Sequence, residues 1–205
     1  MPRPAVPSRR ADILAAARDQ FNARGFAGTR MEDIAQALGL SKAALYLQFR
    51  SKEALFEEMV SELIETMLPQ AAPADFGDIP APDILRGFIT FMAARLTEPG
   101  MAFVPRVIIG EGAMFPDLAR FYHEQVISKG LGLVERIIRH GIERGEFVCA
   151  DITQACHSVV GGVLMAAIWK NTFEPIGAEP IEPAQMAQAH ADTILNGLLV
   201  RKDRA

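Results

Sequence analysis

The chain has 205 residues, and 50% of them are apolar, which suffices for the packed core of one large or two modest domains. The formal net charge is −4, which taken alone argues against a protein that binds nucleic acid. The longest apolar run, residues 159–169, contains two glycines and is too short to span a bilayer.

The N-terminus and the cysteines indicate the compartment. No apolar segment of a signal peptide precedes Arg9 and Arg10, so a secretory leader is not expected. Cys149 and Cys156 are seven positions apart, a spacing that matches neither a zinc ribbon nor a redox CxxC motif. We therefore expect a cytoplasmic protein with two reduced core thiols and no metal site, a disulfide being the alternative.

Charge is distributed unevenly along the chain. Residues 1–55 hold nine Lys or Arg against five Asp or Glu, whereas the remaining residues hold twelve against twenty. A basic N-terminal part on an acidic body is typical of a protein that meets phosphate at one end. Ordinary scatter of surface charge is the alternative, and charge alone does not decide between the two.

The first predicted elements are an arm and a helix. Residues 1–7 contain three prolines and predict a mobile arm instead of a helix. Ser8 is placed to cap the helix that follows, and Gly25 to end it. Phe26 is expected to plug the core behind that end. The core face of this helix is predicted to consist of Ile13, Leu14, Ala17 and Phe21.

Residues 29–55 predict two short helices joined by a tight glycine turn, with a further helix directly after them. Thr29 and Glu32 have the spacing of a capping box at the start of the first of these helices. Gly39 occupies the position of a left-handed C-cap, and Ser41 can cap the second helix. That second helix has an inward-facing pair four residues apart, Leu45 and Phe49. This is the helix-turn-helix signature, whose second helix enters the DNA major groove.

The rest of the chain predicts helices separated by proline-rich breaks. Ser51 caps a helix that ends before Pro69, and residues 69–82 form a linker with four prolines. Asp151 has capping-box spacing to Gln154. The later helices are predicted at residues 83–97, 101–113, 116–144, 152–172 and 184–201. No segment with strand character is bounded by hairpin turns, so the predicted fold class is all-α with about nine helices.

At the helix-turn-helix the sequence resembles the TetR/AcrR family of bacterial transcriptional regulators, over roughly residues 8–60. The matching motifs, in the family's order and spacing, are Thr29-x-x-x-Asp33-Ile34-Ala35, Gly39-Leu40-Ser41-Lys42, Leu45-Tyr46-x-x-Phe49 and Ser51-Lys52-Glu53-x-Leu55. Segments common in the family's C-terminal domains resemble Glu111-x-x-x-Phe115-Pro116-Asp117-Leu118 and Glu143-Arg144-Gly145-Glu146-Phe147.

Together with the predicted helices, the resemblance divides the chain into three parts. Residues 1–7 are the flexible arm, and residues 8–55 are a three-helix DNA-binding domain of the helix-turn-helix type. Residues 56–205 are a C-terminal helical bundle that binds a ligand and forms the dimer.

The resemblance also assigns DNA contacts. It implies that Thr29, Tyr46 and Lys52 contact backbone phosphates and that residues 42–47 enter the groove, while Gln48 stands where many members carry histidine. The predicted DNA-binding residues are Thr29, Ser41, Lys42, Ala43, Ala44, Tyr46, Leu47, Gln48 and Lys52. If Leu45 and Phe49 face inwards, helical geometry turns Ala43, Ala44 and Leu47 outwards. Lys42 is the one strong base-edge donor and favours guanine, whereas alanine and leucine read only thymine methyl groups or shape.

These assignments have structural alternatives. Tyr46 could pack its ring against the first helix, Lys52 could be a solvated first-turn residue, and Leu47 could be buried against a neighbour. The arginines of the arm could enter an adjacent minor groove or merely add to the salt dependence of binding. They are Arg3, Arg9 and Arg10.

The family resemblance implies a homodimer, and the two C-terminal helices are suited to form it. The helix over residues 152–172 is apolar nearly all round, so it must be covered on several sides, and its small residues permit close helix contact. Two such helix pairs form a four-helix interface related by two-fold symmetry. The interface is expected to contain Val160, Val163, Leu164, Ala167, Ile194 and Leu198. A helix at the centre of a monomeric bundle is the alternative.

Aromatic and methionine side chains at helical spacing are core residues by default, but the family resemblance implies a pocket for a small-molecule inducer among them. Nine methionines suit an adaptable lining. The predicted lining residues are Phe88, Phe91, Met92, Arg95, Phe103, Arg106, Met114, Phe121, His157, Met165 and Trp169. The charge of the ligand is left open, because Arg106 suits a carboxylate and Glu111 a cation, unless the two pair with each other.

These patterns predict a DNA-binding transcriptional regulator and no enzyme, cofactor or metal site, since no nucleophile elbow, phosphate loop or metal spacing stands out. The resemblance implies a repressor that a small, mostly apolar ligand releases from a palindromic operator. A helical carrier of lipids or small molecules that does not bind DNA is the alternative. The set of Lys42, Tyr46 and Lys52 argues against a carrier, which has no use for it.

Overall fold

The computed structural model describes residues 9–98, 101 and 103–200. The predicted arm at residues 1–7 and the capping residue Ser8 lie outside that part of the chain. Within it the regular structure is helical, apart from one isolated antiparallel bridge between Phe147 and Leu199. The all-α fold class is therefore confirmed.

Ten α-helices occur among the described residues. They are α1 (Arg9–Gly28), α2 (Met31–Ala37), α3 (Lys42–Gln48), α4 (Lys52–Ala71), α5 (Ala81–Thr97), α6 (Phe103–Glu111), α7 (Pro116–Tyr122), α8 (Ser128–Glu143), α9 (Ile152–Ile168) and α10 (Pro183–Leu198). A π-helical turn, His123–Ile127, joins α7 and α8 into one continuous run. This gives the nine helical segments that the sequence predicts.

The contacts divide the chain into two compact units. The first contains the described residues up to Ile64 together with Phe103–His123, and the second contains the other described residues. The helix-turn-helix thus shares a unit with α6 and α7, which the sequence analysis assigned to the ligand-binding part. The predicted division of function between residues 8–55 and 56–205 stays a prediction.

Four aromatic rings form the centre of the first unit. Phe26 contacts the rings of Phe21, Phe56 and Phe115, at centroid distances of 5.6, 5.5 and 4.8 Å. The side chains of Phe21, Phe26 and Phe56 are 0% exposed. The predicted plug is therefore confirmed. So is the core face of α1, since all four of its members are buried: Ile13, Leu14, Ala17 and Phe21.

Local capping signals set three of the helix starts, those of α3, α4 and α9. The side-chain oxygens of Ser41, Ser51 and Asp151 each accept the backbone N–H three residues later at 3.1 Å, as predicted. One predicted helix end is wrong, because α4 continues through Pro69 to Ala71. A proline in the last turn removes a single N–H donor and has the φ that a helix requires, so it does not force the helix to stop there.

In the second unit α5 packs against α8, α9 and α10. The start of α5 is fixed by Glu146, whose carboxylate accepts the backbone N–H of Ala81 at 2.7 Å and the Nε–H of Arg144 at 2.7 Å. The hydrogen bond from Arg144 is the main cause of the lowered pKa of Glu146. Both cysteines are free thiols, as predicted, but only Cys156 is a core residue, since Cys149 is half-buried. Burial raises the pKa of the Cys156 thiol to about 11, so it stays protonated at neutral pH.

One helical run, Ile152–Ile176, is long and apolar enough to cross a membrane by length and composition, with a mean hydropathy of 1.4. A single run of this kind is weak evidence for a membrane span, because core helices of soluble proteins have the same length and composition. Only 28% of its apolar window is buried inside the chain, which leaves apolar surface on α9 uncovered.

Two glycines of α8 predict stability changes of opposite sign. A Cβ at the buried Gly141 would overlap the ring of Phe147, which is itself 2% exposed and has no room to move. We expect Gly141→Ala to lower the free energy of unfolding by about 1–3 kcal/mol. At Gly132 no described atom lies within 4 Å of a Cβ, so Gly132→Ala is expected to raise it by up to about 1 kcal/mol. Urea denaturation measures the free energy of unfolding of both variants. Equal changes would contradict the close contact between position 141 and the Phe147 ring.

Candidate nucleic-acid interface

Helix α3 exposes a largely apolar face. Leu45 and Phe49 fix it from inside, at 0% and 2% exposure, whereas Leu47 is 85% and Tyr46 40% exposed. The other exposed residues of this helix are Lys42, Ala43 and Gln48, and Ala44 is half-buried. The outward orientation predicted for this face is confirmed, and the alternative of a buried Leu47 is wrong. Contact with DNA stays a prediction.

The turn before α3 is tight because Gly39 has a φ of 63°, in the left-handed region that favours glycine. The backbone N–H groups of Gly39 and Leu40 donate to the carbonyls of Gln36 and Ala35, at 3.1 and 2.9 Å. The chain then enters α3 at its N-cap, Ser41. These contacts place α3 directly after α2, in the arrangement that presents its outer face to a groove.

Lys42 is ion-paired with Glu32 of α2, and its Nζ lies 5.7 Å from the centroid of the Tyr46 ring. Both members of the pair are well exposed. Their hydrogen bond is the main cause of the raised pKa of Lys42 and of the lowered pKa of Glu32. The ammonium is therefore charged, and a contact with a base requires that Lys42 exchange Glu32 for a DNA acceptor.

The predicted capping box of Thr29 and Glu32 is wrong. The N-cap of α2 is Arg30, without a side-chain cap bond. The Thr29 hydroxyl instead donates to the carbonyls of Gln20 and Gly25, at 3.1 and 2.7 Å, and the residue is 1% exposed. The hydroxyl thus acts as a donor to carbonyls near the end of α1, whereas a capping side chain would accept an N–H group of α2. The Thr29 side chain is therefore not available to a phosphate in this conformation.

Lys52 also differs from its predicted role. Its Nζ donates to the carbonyl oxygens of Phe26 and Thr29, at 2.6 and 2.9 Å, and lies 4.3 Å from the centroid of the Phe26 ring. Burial is the main cause of its lowered pKa. The ammonium is thus neither directed to a phosphate nor fully solvated, since two of its three protons are bound inside the first unit.

Two charged residues that the sequence analysis considered as ligand anchors contact α1 instead. The Glu111 carboxylate accepts the backbone N–H groups of Phe26 and Ala27, at 3.0 and 2.6 Å. Arg106 donates to the carbonyl of Asn22 at 2.5 Å. The suggestion that Arg106 and Glu111 pair with each other is therefore wrong. Their partners lie more than eighty positions away, so no local spacing could have identified them.

Two exposed cations beside helix starts are absent from the predicted DNA-binding residues. Arg30 is the N-cap of α2, and Arg50 stands directly before Ser51, the cap of α4. A cation next to a helix N-terminus is a usable signal, because the two attract phosphate together. Both arginines are therefore candidates for phosphate contacts.

Arg10 was treated as part of the arm but belongs to α1. It is ion-paired with Glu58, and its guanidinium lies 4.6 Å from the centroid of the Phe49 ring. The assignment of Arg10 to a free arm is therefore wrong. Arg3 and the side chain of Arg9 lie outside the described part of the chain.

The predicted ligand residues of the first unit do not form a common lining. Phe103 is a core side chain with 2% exposure, whereas Met114 is 63% exposed and Phe121 is half-buried. Arg106 is bonded to α1, and the four residues range from buried to well exposed, which does not favour a shared lining. The inducer pocket predicted from them is not supported within this unit.

In the second unit the predicted ligand residues also vary in burial. Phe88 is 2% exposed, and Arg95 pairs with Glu98 at 3.0 Å. Trp169 donates its Nε1–H to the carbonyl of Glu179 at 2.8 Å. Phe91, Met92, Arg95 and Trp169 are half-buried, and the exposed members are His157 and Met165. Exposure of the last two argues against their role in lining a pocket.

A cleft of about 460 Å³ lies in the second unit. Its lining residues are Pro69, Gln70, Ala71, Ala72, Pro73, Ile79, Asp83, Ile84, Gly87 and Phe88. Of the predicted ligand residues only Phe88 lines it. The end of α4 and the proline-rich linker supply most of the other residues, and sequence analysis assigned that segment no role beyond connection.

Three of the residues predicted for the dimer interface are buried inside the chain itself. Val163, Ala167 and Leu198 are 2%, 1% and 6% exposed, so they are not available to a partner, and that part of the prediction is wrong. The other three are half-buried: Val160, Leu164 and Ile194. The exposed small or apolar residues of α9 and α10 include Gly161, Met165, Ala189 and Gly197.

Two family models match the chain. Residues 13–59 match the model described as bacterial regulatory proteins of the tetR family. Residues 83–196 match the model described as the C-terminal domain of AefR-like transcriptional repressors, which covers more than half of the chain.

Individual proteins are similar over different shares of their length. RutR of Escherichia coli, an HTH-type transcriptional regulator, is 39% identical over 79 residues, which are 38% of this chain and only 37% of that protein. PfmR, a TetR family transcriptional regulator of Thermus thermophilus, is 31% identical with a TM-score of 0.71, over 92% of this chain and 99% of that one. The ketosteroid transcriptional regulator KstR2 of Mycobacterium tuberculosis is 22% identical with a TM-score of 0.73, over 96% and 98%, a likeness of fold alone.

Proposed function

The chain belongs to the TetR family of DNA-binding transcriptional regulators, and on that premise we propose that it is a repressor held as a homodimer on a palindromic operator. A small, mostly apolar ligand releases it. The description of the C-terminal family, AefR-like transcriptional repressors, supports the repressor role. A regulator works where its DNA lies, so we place it in the cytoplasm. Family membership argues against the alternative of a carrier that does not bind DNA.

The observation that carries the proposal is the exposed face of α3. Leu47, at 85% exposure, gains nothing from contact with water. Insertion of this face into the major groove covers the leucine with thymine methyl groups and brings Lys42 to base edges. Arg30 and Arg50 lie beside helix starts, where they add phosphate contacts that position the protein but do not select a sequence.

The exposed faces of α9 and α10 support the homodimer. The apolar run that includes α9 is only 28% buried in one chain, and its exposed Gly161 has open space where a Cβ would stand. Ala189 and Gly197 provide small exposed side chains on α10. Close approach of two helix pairs covers this surface, and a two-fold dimer matches an operator with two half-sites.

The cleft in the second unit supports an apolar ligand. Its volume of about 460 Å³ is in the range of small-molecule sites, and its lining is mainly proline, alanine, isoleucine and phenylalanine. Asp83 and Gln70 are the polar side chains among the lining residues. A ligand acts only if it binds the conformations that fit and do not fit the operator with different affinity.

Lys42→Ala is expected to weaken binding to the preferred duplex on the order of tenfold and to relax the preference for guanine at one position of each half-site. The reason is that Lys42 is the strong base-edge donor on the exposed face of α3. Fluorescence anisotropy with the preferred duplex and with a guanine-to-adenine variant measures both effects. Lys129→Ala, which removes an exposed lysine of α8, is the matched control. An unchanged guanine preference would contradict the assignment.

Selection of bound duplexes from a random pool tests the proposed function. The wild type is expected to enrich a palindrome with half-site centres about one helical turn apart, with two chains on each duplex in native mass spectrometry. Lys42→Ala is expected to enrich it poorly. A screen of apolar compounds for release of this complex then tests the ligand. A folded homodimer that enriches no duplex would favour the carrier and refute operator binding.

A further inference from the structure

We propose that Glu111 of α6 and Lys52 of α4 are positioning residues for DNA binding. Together they fix residues 25–29, which are the end of α1 from its non-helical Gly25 onwards and the residue that follows it, and through them the direction of the helix-turn-helix. The affinity measurements below rest on the proposed operator binding, whereas the measurement of backbone protection does not.

Glu111 binds the N–H side of this segment. Its two carboxylate oxygens accept the successive backbone N–H groups of Phe26 and Ala27, at 3.0 and 2.6 Å. Hydrogen bonds to an ionised acceptor are about twice as strong as neutral ones. The carboxylate can approach because position 25 is glycine, where a Cβ would overlap the Oε1 atom. The contact of the carboxylate with this segment therefore requires glycine at position 25.

Lys52 binds the carbonyl side of the same segment. Its Nζ donates to the carbonyl oxygens of Phe26 and Thr29, at 2.6 and 2.9 Å. Phe26 therefore has its N–H bound by an anion and its C=O bound by a cation. Phe115, four residues after Glu111, adds an apolar contact to the Phe26 ring at a centroid distance of 4.8 Å.

The fixed segment leads directly into the helix-turn-helix. Thr29 precedes Arg30, the N-cap of α2, and its hydroxyl donates back to the carbonyl of Gly25 at 2.7 Å, which bonds the two ends of the segment to each other. A change at Glu111 or Lys52 therefore changes how α2 and α3 meet DNA, although neither side chain has to touch it. This distinguishes positioning from a phosphate contact, because loss of a phosphate contact lowers the salt dependence of binding and loss of positioning does not.

The test uses Glu111→Gln, Lys52→Met and the double variant of the full chain. Asp117→Asn is the matched control, since it removes the same charge from a carboxylate that is 90% exposed in the first unit. Affinity for the enriched duplex is measured at several salt concentrations, and amide hydrogen exchange is followed at Phe26 and Ala27. Circular dichroism confirms that each variant is folded.

We expect each single variant to weaken binding on the order of tenfold, with an unchanged slope of log affinity against log salt concentration. Exchange at Phe26 and Ala27 is expected to accelerate in Glu111→Gln. The double variant is expected to bind about as weakly as the weaker single variant, because both side chains fix one segment. Asp117→Asn is expected to change none of these quantities.

Two results would overturn the proposal. One is a Lys52→Met variant whose salt slope falls by about one, which identifies a phosphate contact. The other is a Glu111→Gln variant with wild-type affinity and wild-type exchange at Phe26. If the wild type enriches no duplex, the proposed function fails, and the variants are compared on a mixed-sequence duplex together with the exchange measurement. The two failures are thus distinguishable.

Discussion

Phe26→Ala is expected to lower the free energy of unfolding by about 3–5 kcal/mol, the cost of deleting a buried aromatic side chain. Phe26 is 0% exposed and contacts three other rings in the first unit. It also lies under the ammonium of Lys52, at 4.3 Å from Nζ to the ring centroid. The neighbouring rings are rigid and cannot extend into the space that the deletion leaves, so the cavity persists.

Urea denaturation followed by circular dichroism measures this loss, with Phe91→Ala as the matched control. Phe91 is a half-buried phenylalanine of α5, so its removal is expected to cost clearly less. Phe26→Ala is also expected to lose measurable DNA binding at temperatures where the wild type still binds. Equal losses of stability in the two variants would show that Phe26 is not the centre of its unit.

Gly25→Ala is expected to combine backbone strain with a steric overlap. Gly25 has φ 73° and ψ 179°, a region open essentially to glycine alone, and a residue forced into such a region costs about 1–3 kcal/mol. The added Cβ would also overlap the Glu111 carboxylate and break its bonds to the N–H groups of Phe26 and Ala27. We therefore expect a larger loss of stability than strain alone produces, together with weaker DNA binding.

Two other glycines separate these contributions. Gly39→Ala carries the strain of a positive φ of 63°, but no described atom lies within 4 Å of the added Cβ. Gly28→Ala meets only the Cβ of Arg24 at 3.4 Å, an ordinary contact. Melting temperatures are expected to fall in the order Gly28→Ala, Gly39→Ala, Gly25→Ala, with the last one lowest. A Gly25→Ala variant as stable as Gly39→Ala would contradict the contact with Glu111.

The sequence predicts the outer face of α3 well because the signals that determine it are local. Leu45 and Phe49 are one helical turn apart, so their burial fixes which side of the helix is exposed. Ser41 and Ser51 accept N–H groups three residues later, again within one turn. A local signal fails when a distant group competes for it. Thr29 has the spacing of a cap, but its hydroxyl bonds to carbonyls of α1.

The rest of the site depends on contacts between residues far apart in the chain. Glu111 is 85 positions from Phe26, and neither residue carries a sign of the other. The prediction of the dimer residues failed for a different reason. A helix as apolar as α9 has no polar side to reveal its orientation, so only packing shows that Val163 and Ala167 face inwards. The cleft was missed because prolines predict where helices break and not where the resulting segment packs.

Replacement of thymine by uracil in the enriched duplex tests the central claim, that the exposed face of α3 reads DNA. Uracil lacks the methyl group that Leu47 is expected to cover, so wild-type binding should weaken about fourfold for each contacted methyl, the value of one buried carbon. Leu47→Ala should bind the thymine and uracil duplexes with nearly equal affinity. Two results would contradict the account. One is wild-type protein that binds the thymine and uracil duplexes with equal affinity, and the other is a Leu47→Ala variant that loses as much affinity on uracil replacement as the wild type does.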